Sequence, residues 1–135
     1  MLNSAYLSSV EIFPLKLSFT TYAKSSCGLS GKLTTNTRFP EGDWRARYFG
    51  PENLNPTVMR ADALKKLLPR NMSLPEMALR YILTNKIVST TIVGMRTLDH
   101  LQKDLRVSDG KGLLKELIVK LRAHRWDRKI APWSD

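Results

Sequence analysis

The sequence contains a single cysteine, Cys27. No internal disulfide can form, so the usual support of a secreted fold of this size is missing. The first residues offer no basic run ahead of an apolar one, and Glu11 and Lys16 interrupt the apolar positions before Ser18. A signal peptide is therefore not expected. No stretch approaches the roughly 18 consecutive apolar residues that a membrane span requires. There is no Cys-x-x-Cys or His-x-x-x-His spacing, and His100 and His124 make no metal-ligand pattern with Cys27. A Gly-x-Ser-x-Gly elbow and a Gly-x-Gly-x-x-Gly turn are absent, as are internal repeats and low-complexity tracts. These gaps argue against a disulfide scaffold, a membrane span, a zinc site and two common catalytic frameworks. A cytoplasmic protein is the default expectation.

What is present is ordinary in amount and unusual in sign. The 135 residues suffice for one domain, and 42% hydrophobic with 25% charged residues supports a packed core. The net charge is +10, which favours an anionic partner such as nucleic acid, a membrane surface or a phosphorylated small molecule. Charge alone does not choose among these. Lys120, Arg122, Arg125, Arg128 and Lys129 crowd together late in the chain, and a solvated basic end is the plainer reading of that cluster.

Along the chain, residues 4–17 contain Pro14 and support at most a short helix. Phe19-Thr20-Thr21-Tyr22 is β-branched and aromatic, as a buried strand would be. A loop of small residues follows, Ser25-Ser26-Cys27-Gly28-Leu29-Ser30-Gly31-Lys32, and polar, turn-rich sequence runs through Pro40, Gly42 and Gly50 to Pro51. About 25 residues without periodicity are uncommon in a compact domain. Asn55-Pro56 predicts a helix start, with Val58, Ala61, Leu64 and Leu68 at helical spacing. Ser73-Leu74-Pro75-Glu76 is a capping box ahead of Met77, Ala78, Tyr81 and Ile82. Ile87-Val88-Ser89-Thr90-Thr91-Ile92-Val93 is the clearest strand signal. Gly94 ends it, Thr97 caps a helix with Leu98, Leu101 and Leu105, and a last helix carries Leu113, Leu114, Leu117, Ile118 and Leu121. Strands alternating with helices predict parallel pairing and an α/β class, although two strands are too few for a complete sheet.

Two segments could hold an anion. At Ile92-Val93-Gly94-Met95-Arg96-Thr97 a strand is expected to hand over to a helix, whose N-terminal N–H groups attract phosphate. Arg96 adds a fork of donors, and His100 and Lys103 follow one turn on. Gly94 as a mere turn and Arg96 as a surface residue remains open on spacing alone. In Gly28-Leu29-Ser30-Gly31-Lys32, small residues let amides crowd a phosphate and Lys32 supplies charge; its spacing is too short for a Walker motif. Glu41 and Asp43 beside Trp44 and Arg45 read as surface pairing. Trp126 and Trp133 could stack on bases, though such tryptophans more often pin a tail to its own domain.

Taken together, Leu29-Ser30-Gly31-Lys32-Leu33 and Arg38-Phe39-Pro40-Glu41-Gly42-Asp43-Trp44-Arg45 resemble the loop after the seventh strand of aldo-keto reductases. Ala78-Leu79-Arg80-Tyr81-Ile82-Leu83 and Val88-Ser89-Thr90-Thr91-Ile92-Val93-Gly94-Met95-Arg96-Thr97 resemble the family's seventh helix and eighth strand. The resemblance spans 11–123, with 124–135 as a basic, tryptophan-containing tail. It implies an incomplete α/β fold, the C-terminal third of a (β/α)8 TIM barrel. By the same resemblance, Tyr22 would stack on the nicotinamide of NADPH, and Ser30, Gly31 and Lys32 would border the pyrophosphate. Gly94, Met95, Arg96, Thr97, His100, Lys103 and Asp104 would surround the adenosine ribose and its 2′-phosphate.

The sequence also departs from the family. Ala23-Lys24-Ser25 stands where a Ser-Pro-Leu type segment is usual, and the loop from Gly28 to Lys32 is one residue short. Asp104 replaces a common asparagine, and His100 a glutamine or arginine. The family's Asp, Tyr, Lys and His catalytic set has no counterpart here, and neither Tyr48 nor Tyr81 sits in a matching context. The expectation is an NADP(H)-binding piece of a carbonyl oxidoreductase, inactive alone, taking a small aldehyde or ketone only if the rest of the barrel is supplied. An unfinished barrel would also self-associate. A non-catalytic nucleotide-binding or interaction protein is the alternative. A nucleic-acid binder is disfavoured because the basic residues follow no familiar motif, and no membrane partner is expected.

Overall fold

The computed structural model describes residues 27–86, 88 and 91–125. Over these the chain forms a 3-10 turn at Cys27–Ser30 and five helices: α1 (Trp44–Tyr48), α2 (Pro51–Lys65), α3 (Leu74–Leu83), α4 (Leu98–Arg106) and α5 (Lys115–Ala123). Among the described residues there is no strand. This overturns the expected α/β class and the reading of the chain as a third of a TIM barrel. The strand expected at 19–22 lies outside the described residues, as do Ile87, Ser89 and Thr90. Where the other strand can be seen, it has not formed. Val88 N–H donates to the Asn85 carbonyl at 3.0 Å, closing a turn, and Thr91, Ile92 and Val93 take no regular structure. β-Branched residues favour a strand only where a neighbour supplies ladder bonds and packing. No such neighbour lies beside them among the described residues, and Ile92 is 70% exposed.

The main core joins three helices. Ala61 and Leu64 from α2, Leu74 and Met77 from α3, and Leu113 and Leu121 at α5 are buried together, with Leu29 of the 3-10 turn packed against them. α3 begins as its sequence predicts: Ser73 Oγ accepts from Glu76 N–H at 3.3 Å, with Pro75 in the first turn, where its missing N–H costs nothing. α3 buries more than the expected stripe, because Leu79 and Arg80 are enclosed as well as Met77 and Ile82.

A second, smaller core gathers Tyr48, Phe49, Leu54 and Val58, with Leu33 and Phe39 against it. It explains two differences from expectation. The stretch read as irregular up to Pro51 contains α1, capped by Asp43, whose carboxylate accepts from Arg45 N–H at 2.9 Å and pairs with the Arg45 guanidinium. And α2 starts at Pro51, not at Asn55-Pro56, so Pro56 lies inside it. The local cap signal at Asn55 loses because the earlier start places Leu54 in line with Val58 against Tyr48 and Phe49, burying apolar surface worth about 2 kcal/mol per side chain.

α4 is the outlier. Thr97 caps it as expected, its hydroxyl accepting from His100 N–H at 3.2 Å. Yet none of its residues is buried. It rests against α3, and only Val107, just past its end, is fully enclosed. Gly110 follows with φ +74°, a left-handed turn that a side chain would strain.

Candidate functional site

Of the residues expected to hold NADPH, Tyr22 lies outside the described residues. Ser30, Gly31 and Lys32 leave the 3-10 turn, which packs on α2 and α3. The Ser30 hydroxyl accepts from Lys32 N–H at 3.2 Å, which folds the loop tightly. Gly31 has φ +70°, and a Cβ built on it would meet Lys65 Cε at 3.1 Å. The left-handed φ is what favours glycine there, since the Lys65 side chain could shift to make room. The exposed Lys32 and the Lys65 ammonium thus both edge this turn, although Lys65 is drawn 2.8 Å from Asp62 on its own helix.

The second segment stands on α4. Gly94, Met95, Arg96 and Thr97 are exposed, and Arg96 has no hydrogen-bond or ion-pair partner among the described residues. The following turn is less simple. Lys103 Nζ reaches back to Asp99 Oδ2 at 2.7 Å, so its charge does arrive at the first turn but is met there by a carboxylate. That hydrogen bond, foremost, holds Asp99 below the usual carboxylate range. His100 and Asp104 lie on the half-buried flank. Burial pushes the Asp104 carboxyl up, with the nearby His100 opposing the shift. Net positive potential at the start of α4 therefore comes from Arg96 and the helix N-terminus, reduced by Asp99.

Both segments lean on α3 from different sides of the sequence. The small apolar hollow beside the 3-10 turn is lined by Leu29, Leu64, Leu74, Met77, Ala78, Tyr81 and Leu121. It draws nothing from 94–104, and its lining offers a polar ligand little. Among the described residues no group of three or more His, Cys, Asp or Glu could hold a metal ion, and no helix is long and apolar enough to cross a membrane.

The most elaborate polar constellation is one the sequence reading passed over. Arg80, only 7% exposed, donates to Glu76 at 2.9 Å, to both Asp109 oxygens at 2.8 and 3.1 Å, and to the Lys111 carbonyl at 2.6 Å. Asp109 also accepts from Lys111 N–H at 2.9 Å. The Arg80 bonds, then the Lys111 bond, pull the Asp109 carboxyl down to about 2. Four of the five N–H donors of the arginine meet partners within the fold, so the cluster fastens α3 to the link between α4 and α5. Glu76 four residues before Arg80 was a visible signal; Asp109, 29 residues on, was not.

Compared with protein-family models, curated proteins and solved structures, the chain finds no match.

Proposed function

We propose that this chain is a non-catalytic binding protein for NADP(H), related to the aldo-keto reductases and working in the cytoplasm. What chiefly supports the reading is Arg96: an exposed guanidinium without a partner among the described residues, placed one residue ahead of the cap of α4. A 2′-phosphate there would meet a charge-assisted donor fork and free helix N–H groups. By the resemblance, Gly94, Met95, Arg96 and Thr97, with His100, Lys103 and Asp104, would surround the adenosine ribose and its 2′-phosphate, which names the ligand class. Binding, not turnover, is the role, because hydride transfer to a carbonyl needs a positioned proton donor and no tyrosine here sits in the family's catalytic context.

Titration calorimetry with NADPH and NADH tests it. NADPH should bind more tightly, and Arg96→Ala should weaken NADPH about 10- to 100-fold, the loss of one charge-assisted contact, while leaving NADH nearly unchanged. Equal weakening of both cofactors removes Arg96 from the phosphate role, and absence of binding to either removes the reading.

A further inference from the structure

α5 presents a cationic outer face. Leu117, Ile118 and Leu121 turn to the main core, while Lys115, Val119, Arg122 and Ala123 stay exposed. Lys115 and Arg122 are seven residues apart, so they share one line along the helix, about 10 Å from each other. The one acid of the helix, Glu116, stands about 100° round from Lys115, on a flank it shares with Lys120. Lys111, just ahead of the helix, has its backbone fixed: its N–H donates to Asp109 and its carbonyl accepts from Arg80. Asp109 itself is held by Arg80. Thr84 Oγ1 lies 3.8 Å from where a Cβ on Gly112 would stand, which brings the exposed Lys86, two residues on, toward the same end of α5. Arg122 sits beside the Tyr81 hydroxyl. Burial, foremost, pushes that phenol up, so it is neutral and leaves the arginine's charge unopposed. Among the described residues, none of Lys86, Lys111, Lys115 and Arg122 forms an ion pair with a carboxylate.

We propose that this face binds the phosphate backbone of a nucleic acid, without reading its bases. Cations spread over about 10 Å of open helix surface match a polymer whose charges repeat; a single small anion would reach only one of them. A membrane surface fits less well. An interfacial helix needs a broad apolar face to sink among lipids, and α5 turns its leucines and isoleucine to the core, leaving Val119 and the N-cap Leu114 outside. Backbone binding of this kind needs no recognition motif, so the want of one in the sequence does not count against it. The net charge of +10 adds a long-range pull on any polyanion. By fixing the backbone of Lys111, the Arg80 cluster also fixes one end of the cationic face. The face shares no residue with the Arg96 segment and does not rest on NADP(H) binding.

Fluorescence anisotropy of the full chain with labelled mixed-sequence oligonucleotides, duplex and single-stranded, tests it. Duplex should bind with a Kd on the order of 1–100 µM at physiological salt, whatever its sequence. Log affinity should fall with log salt at a slope of about −3 to −4, as four phosphate contacts require, and somewhat less steeply for single strands. Lys115→Gln and Arg122→Gln should each reduce the duplex slope by about 1 and weaken binding about 3- to 10-fold at low salt, with unchanged helical circular dichroism. Arg38→Gln removes the same charge beside Phe39 and the second core, and it should leave slope and affinity nearly unchanged. Binding indifferent to salt overturns the proposal, as does an equal loss from Arg38→Gln, which would make net charge the whole effect. So does tighter binding to polyglutamate, or to vesicles of phosphatidylcholine and phosphatidylserine in equal parts, than to the oligonucleotides.

Discussion

The residue on which most of this molecule converges is Arg80. A guanidinium enclosed at this level is tolerable only when most of its donors are satisfied, and Glu76, Asp109 and the Lys111 carbonyl take four of the five. Arg80→Met keeps the aliphatic packing and removes the bonds, so it should lower unfolding free energy by about 1.5–3 kcal/mol in urea titrations. A loss near zero would make the cluster surface decoration. The pH dependence has a definite sign. The Asp109 carboxyl is depressed in the fold to about 2, against about 3.9 in an unfolded chain. Its contribution is therefore present above pH ~4 and is lost as pH falls toward 2. The stability gap between wild type and Asp109→Asn should be constant near neutrality and close across that window; a gap unchanged at pH 2 would exclude the ionised pair.

At the scale of elements, the capped starts of α3 and α4 were legible, while the start of α2, the whole of α1 and the strands were not. Ser73 and Thr97 both do what their sequence context predicts, each hydroxyl accepting from the N–H three residues on. The consequences of removing them should differ. Ser73→Ala should cost about 1 kcal/mol of global stability, because α3 supplies Leu74 and Met77 to the main core. Thr97→Ala should leave the urea midpoint nearly unchanged and instead speed hydrogen exchange of α4 amides, since α4 buries none of its residues. Equal loss of global stability in the two variants would show that α4 is integral to the cooperative core. The expected strand over 87–93 illustrates the opposite case. Composition at these positions states a preference for a pleated surface, but the described part has none to join.

At the scale of the molecule, the described residues pack helices around two small cores, one at Met77 and one at Tyr48 and Phe49. The described residues include no strand, and no tyrosine among them sits where the resemblance would place a proton donor for a carbonyl. Highly purified protein should therefore oxidise NADPH with a panel of small aldehydes and ketones at less than about 0.1 per second, against about 10 per second for a typical enzyme. Faster turnover that co-purifies with the chain would defeat the non-catalytic reading.

Sequence by itself determined what depends on near neighbours. The caps at Ser73 and Thr97, the apolar spacing of Val58, Ala61 and Leu64, and the pairing of Asp43 with Arg45 all follow from contacts within one or two turns. A helix closes its hydrogen bonds at i−4, so its signals are complete within a short window. Tertiary structure alone decided that α2 begins at Pro51, where Leu54 finds Tyr48 and Phe49. It also decided that Arg80 finds Asp109, and that α4 turns His100, Leu101 and Asp104 to its half-buried flank and Leu98 and Leu105 out. It left 91–93 without a ladder for the same reason: a strand's bonds and a buried charge's partner are supplied by distant residues, and no local pattern records whether they arrive.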